Sequence, residues 1–307
     1  MIEKMQIKSF QDLVKNVQSI EKKSKIAVVA AHDKHTLESV IKAKKENLII
    51  PLLIGNEERI VEILTMLGES AADYKIVPAM DVDECLDIAV KMVHESIADV
   101  LMKGKLETAT MMKAILKKEN DLKKGGTISV VGFCETEKYH KLLAISDVAV
   151  NIYPDLERKK DILLNGVYVL NAMGVEKPKV AVLAPVENIN PKMPETVDAN
   201  YLKQMNQDGE IHGCIIEGPI SFDLATSKEA AEIKEYESPV SGDVDLLLMP
   251  DLVSANVLIK CLTGFAGAQT AGLLVGAKIP VIVTSRSAQA SDKYYSIVLA
   301  AYVAQGY

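Results

Sequence analysis

Short apolar runs rich in valine, isoleucine and leucine recur along the chain, and most lead into longer stretches with apolar residues three and four apart. A brief, continuously apolar run suits a strand buried on both faces, and the three-to-four spacing suits a helix covering it. The first third of the chain therefore predicts strands at 25–31, 48–54, 75–77 and 98–102. Helices are predicted after the first strand to about residue 45, then over 57–67, 83–95 and 108–118. The rhythm breaks at Gly125-Gly126-Thr127, after which two runs, 128–133 and 141–145, flank a turn-like 135–138. Such a pair predicts an antiparallel hairpin. Alternation then resumes, with helices near 156–173, 196–207 and 292–305 and strands at 179–183, 213–217, 244–249, 271–275 and 280–284.

Strand-then-helix alternation predicts an α/β protein with a mainly parallel sheet covered on both faces. The break near residue 127 predicts a second domain. The paired runs 271–275 and 280–284, joined through Gly276-Ala277-Lys278, predict that the chain returns to the first. The expected division is 1–126 plus 280–307 for a discontinuous first α/β domain and 127–279 for the second, with a cleft between them.

Ligands of open α/β sheets gather beyond the carboxyl ends of strands, so the residues there carry the candidate chemistry. The run 280–284 ends in Ser285-Arg286, and Arg286 is one of three arginines, with Arg59 and Arg158, among otherwise lysine cations. A guanidinium binds carboxylate or phosphate bidentately, which lysine does not. Asp292 follows at the predicted start of the last helix, as a proton acceptor or a first-turn acid complementing the helix dipole. Lys103-Gly104-Lys105 ends another strand ahead of a helix opened by Thr108, which suits phosphate or an ordinary turn. Asn190 and Lys192 occupy a proline-rich loop, Asp223 follows a Gly-Pro turn, and Asp251 leads to Asn256 on the next helix. Each has a plain alternative as turn or cap chemistry.

Composition narrows the partners. The formal net charge of −7, without a basic stripe, argues against nucleic acid. The apolar runs are too short and too charged to span a membrane, and the first residues lack a signal-peptide core. Cys85, Cys134, Cys214 and Cys261 are widely spaced, as expected of reduced, mostly buried thiols in the cytoplasm. No metal-ligand spacing, Walker loop, dinucleotide fingerprint or Gly-x-Ser-x-Gly elbow is present, and the five histidines are scattered.

Taken in order, the runs LMKGKLETATMMKAIL, LLAISDVAVNIYPDLERKKDI, VENINPKMPETVDA, GCIIEGPISFDLATSKEAA, SPVSGDVDLLLMPDLVSANVLIK and PVIVTSR resemble the phosphate acetyl/butyryl transferase family, most closely its phosphate butyryltransferase branch. The resemblance implies an isocitrate/isopropylmalate dehydrogenase-like fold. It implies the reversible reaction acyl-CoA plus phosphate to acyl phosphate plus CoA, with a butyryl or similar short acyl group and direct transfer in a ternary complex. It also implies small-molecule partners only, coenzyme A as substrate, no prosthetic group and a homodimer or larger assembly. Ser285, Arg286 and Asp292 match the family's Ser-Arg pair and the aspartate proposed as base; Lys103, Gly104, Thr108, Asn190, Lys192, Asp223, Asp251 and Asn256 are the expected substrate contacts. Ile128-Ser129-Val130 departs from the Ser-His-Val of many butyryl-type members, and further substrate-facing arginines of the acetyl branch have no counterpart. The alternatives are a phosphate acetyltransferase, a sensing domain that binds CoA or acyl phosphate without turnover, and a metal-dependent hydroxyacid dehydrogenase of the same fold.

Overall fold

A computed structural model describes residues 7–284 and 288–306. Phe10–Gly125 and the described residues from Thr270 onward form one compact unit; residues 7–9 and Gly126–Gln269 form another. The first unit opens with β1 (Ser24–Val29), β2 (Ile49–Gly55), β3 (Lys75–Pro78) and β4 (Val100–Lys103). The second holds β5 (Ser129–Glu135), β6 (Leu143–Ser146), β7 (Lys179–Leu183), β8 (Ile215–Ile220) and β9 (Leu246–Leu248). β10 (Gln269–Val275) and β11 (Val281–Ile282) return to the first.

Strand order in the first unit is β3-β2-β1-β4-β11-β10, parallel except for the antiparallel last pair. The carboxyl ends of β1, β4 and β11 therefore point the same way, and the residues just past them are neighbours. The last helix, Ala290–Val303, is buried along almost its whole length and begins two residues before the expected Asp292. Its Tyr295 stacks on Phe10 at 4.5 Å between ring centroids. Phe10 belongs to a helix, Phe10–Ser19, absent from the sequence reading, although its buried Phe10, Leu13, Val14 and Val17 carry the helical spacing. The expected return at 280 shifts to about 270, because β10 pairs with β11 through Leu274 and Val281. The expected strand 280–284 shrinks to Val281–Ile282.

Strand order in the second unit is β5-β6-β9-β7-β8. The hairpin is present, with Gly132 opposite Ile145 and Cys134 opposite Leu143. The other pairs are parallel. Pro219 is tolerated in β8 because that strand lies at the end of the order. The amino ends of β6, β9 and β7 are tied by charge. Asp245 accepts from the Lys179 backbone N–H at 2.7 Å and from Lys141 Nζ at 2.6 Å. Asp243 accepts from Lys179 Nζ at 2.6 Å and pairs with Lys141 and His140 at 2.9 Å.

Candidate functional site

In the first unit a cavity of about 450 Å³ opens beyond β1, β4 and β11, lined by Asp33, His35, Lys103, Gly104, Lys105, Leu106, Thr284 and Lys293. Its floor is set by backbone. β4 ends at Lys103, and the next N–H groups continue the pairing with β1: Gly104 donates to Val29 at 2.9 Å and Lys105 to Ala30 at 2.8 Å. A Cβ on Gly104 would fall 2.4 Å from the Ala30 carbonyl oxygen, so only glycine permits this approach. The turn brings Lys103, buried at 6% exposure, to donate its ammonium to the Leu106 carbonyl at 3.1 Å.

Opposite lies the start of the helix Lys34–Lys45. Asp33 caps it by accepting from the Thr36 N–H at 2.9 Å, and the Thr36 hydroxyl also donates to this carboxylate. Lys293, in the first turns of the last helix and 6% exposed, places its ammonium 3.4 Å from Asp33 Oδ2 and 3.3 Å from Thr36 Oγ1. Burial pushes the Asp33 carboxyl up, but the Thr36 and Lys293 contacts outweigh it and hold the group below its ordinary value. Beside it, burial and then the charges of Lys105 and Arg59 lower the His32 imidazole, and Asp33 offsets them only in part. The lining thus carries three lysines and one carboxylate already engaged with one of them, an arrangement suited to a small anion.

The expected site residues divide unevenly. Lys103 and Gly104 line the cavity. Thr108 opens the helix Thr108–Leu116 but is exposed and is not among the lining residues. Thr284 lines the cavity, and the next two residues, Ser285 and Arg286, lie outside the described residues. Asp292 accepts from the Gln289 N–H at 3.2 Å and from the Thr270 N–H at 3.3 Å, one backbone donor on each oxygen. The first bond closes the capping box of the helix, and the second ties the helix start to β10. Lys293, one residue on, was missed. Its signal was a lysine near the start of a helix that is almost wholly apolar from Ile297 on, where a cation opposes the dipole and needs a reason to be there.

The remaining candidates belong to the second unit. Asn190 folds its loop: its Oδ1 accepts from the Lys192 N–H at 3.0 Å and its carbonyl from the Met193 N–H at 2.8 Å, while Lys192 is exposed. Asp223 pairs with Lys234 at 3.1 Å, and Lys234 reaches Glu187 at 3.5 Å. Hydrogen bonding from Ser221 first, and Lys234 with it, holds the Asp223 carboxyl below its usual range. Asp251 caps the helix Leu252–Ala266 through the Ser254 N–H at 2.8 Å, and Asn256 is exposed one turn along it. This unit has larger hollows, of about 520 and 660 Å³, but Lys141 and His140 in both are already paired with Asp243. Among the described residues no group of three or more His, Cys, Asp or Glu side chains is placed to hold a metal ion.

Comparison with known proteins bears on the chemistry. The family model described as phosphate acetyl/butaryl transferase matches residues 57–301. The chain is 43% identical over 298 residues to a phosphate butyryltransferase of Clostridium acetobutylicum, covering 97% of this chain and 99% of that one. It is 41% identical over 280 residues to a phosphate acetyltransferase of Thermotoga maritima, covering 91% and 95%. Among solved structures, a branched-chain phosphotransacylase from Enterococcus faecalis superposes with a TM-score of 0.81 at 32% identity, covering 92% of this chain and 99% of that one.

Proposed function

The chain belongs to the phosphate acetyl/butyryl transferase family, and on that premise we propose that it transfers a short acyl group reversibly between coenzyme A and inorganic phosphate. The observation that carries this reading is the lysine-lined cavity beyond β1, β4 and β11. Inorganic phosphate is small, doubly charged and strongly hydrated, so a site for it must replace water with fixed donors. Lys103 and Lys293 are buried donors of that kind, and Thr284 leads directly into the Ser285-Arg286 pair proposed to complete the anion site.

Three tasks follow from the chemistry. The thiol of coenzyme A, with an ordinary pKa of ~8.5, must lose its proton before attacking the acyl carbon. The oxyanion that forms needs donors, for which Ser285 and backbone N–H groups are proposed. The phosphate needs the cations. For the proton, Asp292 is the family expectation, yet its two oxygens already accept backbone N–H groups. Asp33 lines the cavity and becomes the second candidate. Direct transfer in a ternary complex needs no protein nucleophile. Coenzyme A enters as a substrate, no prosthetic group takes part, and the proposed setting is the cytoplasm, without a membrane or nucleic-acid partner. The chain is expected to work as a homodimer or larger assembly.

Butyryl or a similar short acyl group is the preferred substrate in this reading, and the 41% identity to an acetyltransferase supports acetyl as the second. The test is phosphate-dependent release of thiol from acetyl-, propionyl-, butyryl- and branched acyl-CoA. Turnover highest with a four- or five-carbon group is expected. Turnover highest with acetyl moves the reading to the second alternative, and CoA binding without turnover of any member overturns it in favour of a sensor.

A further inference from the structure

Three bonds hold the Asp33 carboxylate, and all three end on one oxygen. Oδ2 accepts from the Thr36 N–H, the Thr36 hydroxyl and the Lys293 ammonium, whereas Oδ1 takes part in none of them. The side chain is 29% exposed and lines the cavity beyond β1, β4 and β11. As a helix cap alone it would need no charge, because Asn and Ser cap as well as Asp. In a cavity that takes phosphate, a reading on which this inference rests, a fixed negative charge repels the substrate. The charge calls for a task beyond capping.

Lys293 is held loosely for a buried cation. Lys159, equally buried at 6% exposure, sits 2.7 Å from Asp198, and Lys203 and Lys179 sit 2.6 Å from Glu217 and Asp243. Lys293 instead stands 3.4 Å from Asp33 Oδ2 and 3.3 Å from Thr36 Oγ1, longer than the ~2.7–2.9 Å of a charge-assisted hydrogen bond. A desolvated ammonium with two long bonds is stabilised by a closer third partner, and an anion in the cavity it lines would supply one. The reaction adds its own demand. The thiol of coenzyme A must lose a proton, and the phosphate expelled from an acyl phosphate must gain one. One proton therefore has to travel from sulfur to a phosphate oxygen.

We infer that Asp33 carries that proton and that Lys293 is a positioning residue, which moves from Asp33 to the phosphate as the substrate enters. When the phosphate group of an acyl phosphate occupies the cavity, the Lys293 ammonium turns from Oδ2 to a phosphate oxygen. The carboxylate stays oriented by the two Thr36 bonds, becomes more basic and takes the thiol proton on Oδ1. The S–C bond forms, the tetrahedral intermediate loses its C–O bond to phosphate, and Asp33 passes the proton to the oxygen released. Thioester and monohydrogen phosphate leave, and the Asp33–Lys293 pair closes again. In the opposite direction the proton runs from phosphate to sulfur. The other charged groups around Asp33 are Lys103, Lys105, Arg59 and His32, with Lys34 and His35, which both reach Glu38. All are unchanged in variants of Asp33 and Lys293, so such variants report on the pair itself.

Two measurements on the whole chain test this: calorimetric binding of inorganic phosphate, and initial rates of thioester formation from coenzyme A and butyryl or acetyl phosphate across pH. Asp33→Asn keeps a capping side chain, so circular dichroism should match the parent. Its kcat should fall roughly 100-fold near neutral pH, and the loss should shrink in alkali, where the thiol ionises unaided. The same variant should bind inorganic phosphate about threefold or more tighter, because a like charge has gone. Lys293→Met should bind phosphate at least ~10-fold more weakly. It should also move the acid limb of the kcat/KM profile to higher pH, since the cation beside Asp33 is lost, and Lys293→Arg should restore that limb. Asp33→Asn with a kcat within about threefold of the parent would overturn the inference. So would Lys293→Met with weakened phosphate binding and the parent's acid limb, which would make Lys293 a phosphate ligand only. Phosphate binding that ignores both substitutions would overturn the role of the cavity and this inference with it. Failure of the inference alone leaves the parent's acyl transfer as it is, so the two failures are distinguishable.

Discussion

Both units follow the same α/β plan, but they spend their charges differently. At the carboxyl ends of β1, β4 and β11 the first unit gathers three lysines around one carboxylate. At the amino ends of β6, β9 and β7 the second unit matches Lys141, Lys179 and His140 with Asp243 and Asp245. Among the described lining residues the first arrangement has more cations than carboxylates, which suits a small anion. The second is closed on itself and pins strands. Surplus charge at the carboxyl ends thus marks the candidate site, and balanced charge at the amino ends marks scaffold.

The largest effect that could break this contrast is at Lys103. Lys103→Met should lower kcat/KM for acyl transfer by roughly 10³, about 4 kcal/mol, the scale of losing a buried donor to a developing charge. Thermal unfolding should change far less, and a variant as active as the parent would remove the cavity from the reaction. The mirror experiment is Asp245→Asn. Lys141 keeps Asp243 as a partner, so weakening its bond and that of the Lys179 N–H at this one position should cost roughly 2 kcal/mol of stability in a denaturant titration, while the folded fraction keeps its KM for phosphate.

A smaller effect concerns acid. Burial alone would raise the Asp243 carboxyl, but bonds from Lys179, Lys141 and His140 outweigh it and hold the group well below the ordinary carboxylate value. A depressed folded pKa contributes stability that is fully present above the unfolded value near ~4 and is lost as pH falls toward the folded one. Melting temperature should therefore decline below about pH 4, and Asp243→Asn should flatten that decline. The smallest expected effect is at Asp292. If its carboxylate only caps the last helix, Asp292→Asn costs about 1 kcal/mol of stability and changes kcat less than threefold. A hundredfold fall in kcat, with Asp33→Asn nearly silent, would return the role of base to Asp292.

Legibility from sequence followed the range of the interaction involved. The alternation of strands and helices, the hairpin 128–145 and the break near Gly125-Gly126 were readable because they rest on spacing and turn chemistry within a few residues. Lys103-Gly104 was readable for the same reason: a strand ending in Lys-Gly before a helix is a local signal. Lys293 and Asp33 were not, because they stand 260 residues apart and meet only when the last helix packs against the start of Lys34–Lys45. The second-unit residues Asn190, Asp223 and Asp251 carried local signals too, and each proved to bond mainly with its own turn, helix or neighbouring lysine.

By itself the sequence determined the fold class and the family, since both rest on ordered local patterns. Tertiary structure decided which cations share a cavity and that glycine alone fits at position 104. Such facts depend on close approach between distant segments. No local pattern encodes that approach, because the contacts exist only after the core has packed.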